Sequence, residues 1–177
     1  MTDIGQIVRA HTRDIADFPK PGIVFKDLTP LFADAQAFRA VVDDITERFR
    51  GHVDAVAGIE ARGFIVGVPV ALALGLPFVA VRKAGKLPGE VIAQSYDLEY
   101  GSATVEITSD AVSSGDRVLV VDDLLATGGT AAATCALLER TGAQVAGVQM
   151  LMELSFLDGR SALGGREVHV MVSVGDD

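Results

Sequence analysis

Apolar residues recur along this chain in two rhythms. Apolar-rich runs at 53–59, 78–82, 118–121, 145–151 and 167–174 have the length and β-branched content of strands, and the unbroken run 118–121 reads as one buried on both faces of a parallel sheet. Between them, apolar positions fall at helical spacing. Residues 3–16 carry Ile4, Ile7, Val8, His11 and Ile15 on one stripe, with Thr2 as a plausible N-cap. A second helix opens at Asp34, faces Phe38, Val41, Val42, Ile45 and Phe49 inward, and closes at Gly51. A third follows residues 126–130, runs through Arg140 and stops at Gly142. Residues 92–96 and 103–107 alternate as an antiparallel pair would. Strands that take turns with helices predict an α/β fold with a central, mostly parallel sheet flanked by helices. The uncharged stretch 63–81 approaches the length of a membrane span, but Pro69, Gly75 and Pro77 interrupt it. It reads as a buried helix followed by a strand.

Composition narrows the picture. A chain of 177 residues, 49% of them apolar, suits one domain with a sizeable core. The net charge of −9 and the lack of a basic stripe argue against nucleic acid as a partner. Cys135 is the one cysteine, so no internal disulfide forms, and its Ala-rich helical surroundings read as core. The first residues lack the basic and apolar regions of a secretion signal, and a cytoplasmic protein without a membrane is expected. His11, on an apolar stripe, reads as a helix-face histidine without chemistry.

The chemistry concentrates in residues 117–130. A buried strand ends in Asp122 and Asp123, and Ala126-Thr127-Gly128-Gly129-Thr130 then opens a helix. Ligands of open α/β sheets sit beyond the carboxyl ends of strands. Glycines there let backbone N–H groups approach, and the helix start favours an anion. The two acids are wrong for phosphate but suit sugar hydroxyls or a metal. A phosphate cradle beside a diol reader suggests a phosphorylated sugar. Residues 118–130 resemble the phosphoribosyl-diphosphate (PRPP) signature of the type I phosphoribosyltransferases.

Beside that signature, Phe18-Pro19-Lys20-Pro21-Gly22-Ile23-Val24-Phe25-Lys26-Asp27-Leu28-Thr29-Pro30 resembles the N-terminal hood of the adenine phosphoribosyltransferase family. By pattern alone that segment is a loop with a short extended piece. The resemblance implies that Phe25 stacks on adenine, with Leu154 on its other face, and that main-chain groups at Val24 and Lys26 read the ring edge. Lys26 stands where the family often has arginine. Glu60-Ala61-Arg62-Gly63, at a strand exit, offers an arginine fork suited to phosphate. In the resembling family this loop holds diphosphate and contains a cis peptide, here expected at Glu60–Ala61. Residues 85–89 and 96–101 also match the family.

The resemblance implies one domain over residues 1–177, with a helix and base-binding hood at 1–33 and a flexible catalytic flap at 83–107. It implies transfer of a phosphoribosyl group from PRPP to adenine, giving AMP and diphosphate. Ala126, Thr127, Gly128, Gly129 and Thr130 would hold the 5′-phosphate. Arg62, Lys83 and Lys86 would hold the diphosphate. Asp122 and Asp123 would read the ribose hydroxyls and partner Mg²⁺ through water. Glu99 would act near adenine N7 and Tyr100 would pack on the closed site, with Arg62 completing the catalytic set. A homodimer is implied. A 6-oxopurine phosphoribosyltransferase shares the signature and is separated only by hood and flap. A PRPP-sensing regulator would need a DNA-binding module, for which residues 1–17 leave little room.

Overall fold

In the computed structural model, which describes residues 3–98 and 101–175, the aliphatic runs lie side by side in one seven-stranded sheet. In chain order the elements are α1 (Ile4–Ala10), β1 (Arg13–Ala16), β2 (Val24–Asp27), α2 (Thr29–Ala33), α3 (Ala35–Phe49), β3 (Ala55–Ile59), α4 (Arg62–Leu74) and β4 (Phe78–Lys83). They continue with β5 (Val91–Asp97), β6 (Ser102–Thr108), β7 (Arg117–Leu125), α5 (Gly129–Arg140), β8 (Gln144–Leu154) and β9 (Val168–Val174). The sheet order is β5-β6-β4-β3-β7-β8-β9. Strands β4, β3, β7, β8 and β9 run parallel, and β6 and β5 extend one edge antiparallel. Strands β1 and β2 form a separate antiparallel hairpin.

The period of two along β7 sorts its side chains between two cores. Val118 and Val120 pack toward α5 with Cys135, Leu137 and Leu138. Leu119 and Val121 pack toward α3 and α4 with Val41, Ile45, Val66 and Val70. Both faces of the strand are fully buried, as an all-aliphatic run requires. The chain leaves β3 toward β4 through α4 on one face, and leaves β7 toward β8 through α5 on the other. Strand order therefore reverses between β3 and β7, and a crevice opens beyond their carboxyl ends.

Three expectations change. Residues 3–16 are not one helix. Helix α1 ends at Ala10, and residues 13–16 pair with 24–27 in register, Arg13 opposite Asp27. Ile15 fits the period of a helix and of a strand, and the partner β2 decides between them. Arg13 then donates to the Asp27 carboxylate at 2.6 Å. The cap of α1 is Asp3, whose carboxylate accepts from the Gly5 amide at 2.9 Å, while Thr2 lies outside the described residues. A short helix, α2, also ends the segment that reads as a loop, and the Thr29 amide at its start donates to the Asp27 carboxylate at 2.9 Å. Finally, β7 continues through the acidic pair to Leu125, because β8 pairs with it as far as Glu153.

The stretch 63–81 divides into α4 and β4, separated by Gly75 in the left-handed region at φ 70°. No described helix is long and apolar enough to cross a membrane. Helix α4 lies close on β3 because Gly67 and Gly58 leave room for the Phe78 ring. A Cβ on Gly67 would lie 2.8 Å from that ring, and one on Gly58 2.7 Å. The ring is held edge-on to Phe64 and has little freedom to retreat. Gly67→Ala should destabilise the fold by ~1–3 kcal/mol through overpacking, despite the better helix propensity of alanine. Urea denaturation measures this, and an unchanged midpoint would show that the ring can move aside.

Candidate active site

The crevice is built from the backbone upward. Gly128 adopts φ 80°, which turns the chain from β7 into α5 and leaves the first amides of the helix without intrahelical partners. Gly128 and Gly159 are packed back to back, since a Cβ on Gly128 would strike the Gly159 carbonyl and one on Gly159 the Ala126 carbonyl. The segment after β8 thus supports the rear of the loop. Ala126, Thr127, Gly128, Gly129 and Thr130 line one cleft together with Asp122, Lys83 and Glu60. Apart from Glu60 these are groups expected for phosphate, ribose and diphosphate, while Asp123, Arg62 and Lys86 are not among the lining residues.

Alternation along β7 separates the two acids. Asp122 faces the cleft, and Asp123 is buried beneath it. The Asp123 amide donates to the Asp122 carboxylate at 2.8 Å. Asp123 Oδ2 lies 2.8 Å from Arg62 Nε, but the contact is misaligned and the oxygen has no hydrogen bond. Burial raises the pKa of both acids, and for Asp122 the neighbouring Asp123 charge adds to the effect. Such a pair calls for hydroxyl donors or a cation. Among the described residues no cluster of three or more metal-ligating side chains occurs, so a cation there would complete its shell with water or substrate oxygens.

Arg62 is the first residue of α4, and the Glu60–Ala61 peptide before it is cis, as expected. Its neighbour Gly63 permits the approach to β7, because a Cβ there would lie 2.7 Å from the Val121 carbonyl and 3.1 Å from Asp122 Oδ1. The guanidinium also sits 5.2 Å from the centre of the Phe25 ring, a cation–π contact that joins the acidic pair to the hood.

The hood divides by the same alternation. Val24, Lys26 and Leu154 line one recess together with Asp14, Phe156 and Leu157. Phe25 is not among its lining residues, and its ring meets Phe18 edge-on at 5.2 Å and Arg62. The Lys26 ammonium donates to both Asp14 oxygens at 2.8 Å, which occupies its side chain. Glu99 and Tyr100 lie outside the described residues.

Sequence reasoning quoted Glu60 within its loop but assigned it no role. Its carboxylate gathers the base of the flap, accepting from Lys86 Nζ at 2.8 Å and from the Lys83 amide at 2.9 Å, with Arg82 at 3.4 Å. The available signal was its charge, since an acid in a loop meant for anions needs a cationic partner of its own. The Lys86 bond, then the Lys83 amide, hold the Glu60 pKa down to about 2 from 4.5.

The comparisons with known proteins agree with this geometry. Residues 29–165 match the family model described as phosphoribosyl transferase domain. An adenine phosphoribosyltransferase of Desulfitobacterium hafniense is 56% identical, over 92% of this chain and 94% of the relative. One of Streptomyces coelicolor is 53% identical over 98% of both. The chain belongs to the adenine phosphoribosyltransferase family. Solved structures of adenine phosphoribosyltransferases show the same architecture. That from Thermoanaerobacter pseudethanolicus superposes with a TM-score of 0.92 at 46% identity, covering 96% of this chain and 99% of the other. That from Saccharomyces cerevisiae, complexed with an imino-altritol bisphosphate and adenine, superposes at 0.90 and 40% identity, covering 97% and 99%.

The lowered Glu60 pKa has a signed consequence. Its stabilising contribution is present above pH 4.5 and disappears as the pH falls toward about 2. Asp27, held to about 2 by the Thr29 amide and Arg13, titrates in the same window. Urea midpoints measured between pH 6 and 2 should fall through this range. Glu60→Gln should be less stable at pH 6 and lose stability less steeply on acidification, and a slope equal to that of the wild type would contradict the assignment.

Proposed function

We propose that this chain transfers the 5-phosphoribosyl group of PRPP to N9 of adenine, giving AMP and diphosphate in purine salvage. The observation that carries the reading is Arg62, whose guanidinium contacts both Asp123, near the carboxyl end of β7, and the Phe25 ring of the hood. It stands at the junction where diphosphate, ribose and base would meet. The names of the relatives, and adenine in the yeast complex, support adenine as the acceptor.

The 5′-phosphate rests on the amides of residues 126–130 and the hydroxyls of Thr127 and Thr130. Asp122 and Asp123 accept from the ribose 2′- and 3′-hydroxyls, which satisfies the unpaired Asp123 oxygen. The two carboxylates are hard oxygen donors that fit Mg²⁺ held largely through water. When bound, Mg²⁺ neutralises charge on the leaving diphosphate. Arg62, Lys83 and Lys86 take the diphosphate, for which Arg62 must leave Asp123 and Lys86 must leave Glu60. The C1–O bond breaks, its electron pair leaving with diphosphate, as the N9–C1 bond forms on the opposite face and the imidazole-ring proton of adenine is lost to diphosphate or water, so configuration at C1 inverts. Main-chain groups of Val24 and Lys26 read the base edge, with Leu154 as one apolar wall and Phe25, whose ring faces Arg62 outside the recess that Leu154 lines, closing in as the other. Glu99 acts near N7. With Tyr100 it belongs to a flap, residues 83–107, that closes over the site and keeps water from an oxocarbenium-like transition state.

A backbone carbonyl that accepts from the adenine 6-amino group would oppose the oxygen of a 6-oxopurine. Such a site discriminates by ~10⁴–10⁵. We place the protein in the cytoplasm as a homodimer. Helix α4 presents Ile65, Val68 and Leu72 to solvent, with Leu72 76% exposed, a face suited to a second copy.

A spectroscopic assay with adenine and PRPP, with and without Mg²⁺, should show AMP formation that depends on the ion. Arg62→Ala should lower the rate by ~10²–10³. Preference for xanthine or hypoxanthine over adenine would overturn the acceptor assignment, and a monomer by light scattering would overturn the homodimer.

A further inference from the structure

The flap strand β5 is tied to the phosphate loop by one side chain that the proposed mechanism does not use. The period of two along β5 turns Ile92 and Tyr96 toward α5. The Tyr96 hydroxyl lies 2.8 Å from Thr130 Oγ1, in the first turn of α5. Its ring packs over Gly129, where a Cβ would lie at an ordinary contact distance of 3.5 Å. At the far end of the helix Arg140 donates to the Ala93 carbonyl at 2.7 Å and to the Gln94 side chain at 3.0 Å. Strand and helix are therefore clamped along their length, and the Tyr96 hydroxyl is the clamp that reaches the cleft.

Counting protons gives this contact a direction. A threonine hydroxyl has one hydrogen, and a phosphate oxygen can only accept. If Thr130 is to donate to a phosphate, its oxygen must accept from elsewhere, and Tyr96 is placed to supply that donor. We propose that Tyr96 is a positioning residue for PRPP. Its phenol donates to Thr130 Oγ1, fixes the rotamer and turns the threonine hydrogen into the cleft. The two bonds in series, Tyr96 to Thr130 and Thr130 to phosphate, polarise each other. Filling the phosphate loop thereby strengthens the hold on β5, and removing the phenol loosens both. The proposal rests on the reading of the cleft as a PRPP site.

Tyr96→Phe keeps the ring and removes only the hydroxyl. It should raise KM for PRPP by ~5-fold, the effect of one hydrogen bond, with KM for adenine and kcat within about twofold of wild type. Thr130→Val should raise KM for PRPP as well. In the double variant the tyrosine change should add nothing further, because its partner is gone. Any stability cost that Tyr96→Phe carries in both backgrounds cancels in this cycle. Unchanged KM for PRPP in Tyr96→Phe, or losses that multiply in the double variant, would overturn the proposal while leaving the activity intact. A wild-type protein that forms no AMP would instead overturn the functional reading on which it rests.

Discussion

Two adjacent carboxylates buried at the end of a buried strand are the constraint around which this molecule is arranged. Asp122 and Asp123 lie where desolvation opposes ionisation, and the Asp123 charge adds to the resistance at Asp122. A fold tolerates such a pair only if neighbouring elements bring compensation close. Gly63 lets α4 approach β7 without a Cβ in the way, and Arg62 arrives with it. The compensation is incomplete, since one Asp123 oxygen has no hydrogen bond.

A second set of charges shows how an acidic chain can hold a polyanion. Glu60 gathers Lys86, the Lys83 amide and Arg82 at the rim of the phosphate cleft, while Asp123 holds Arg62. In the proposed mechanism two of the diphosphate cations, Arg62 and Lys86, are thus held on carboxylates beside the cleft, while Lys83 meets Glu60 only through its amide. The ion pairs keep the cations oriented, and a diphosphate has to compete with the carboxylates for them. A net charge of −9 is then no obstacle to binding an anion, because the local arrangement decides.

Glycines set the closeness of the backbone layers. Gly58 and Gly67 admit the Phe78 ring between β3 and α4, and Gly128 meets Gly159 behind the phosphate loop. The second contact links the segment after Leu154, which lines the recess beside β2, to the loop at the start of α5. The two clefts therefore share a wall built from main chain.

The sequence alone determined the five parallel strands, the helices between them and the dense chemistry of residues 118–130. These features are local, because an aliphatic run, a glycine stop and an acid pair before a threonine-glycine loop carry their meaning in their own spacing. Tertiary structure decided what depends on a partner. Residues 13–16 fit a helix until β2 offers a register, and β7 ends where β8 stops pairing, three residues beyond Asp122. Glu60, Gly159 and Tyr96 were silent in the sequence for the same reason. Their partners Lys86, Gly128 and Thr130 stand 26 to 34 positions away, and only the folded chain brings those atoms together.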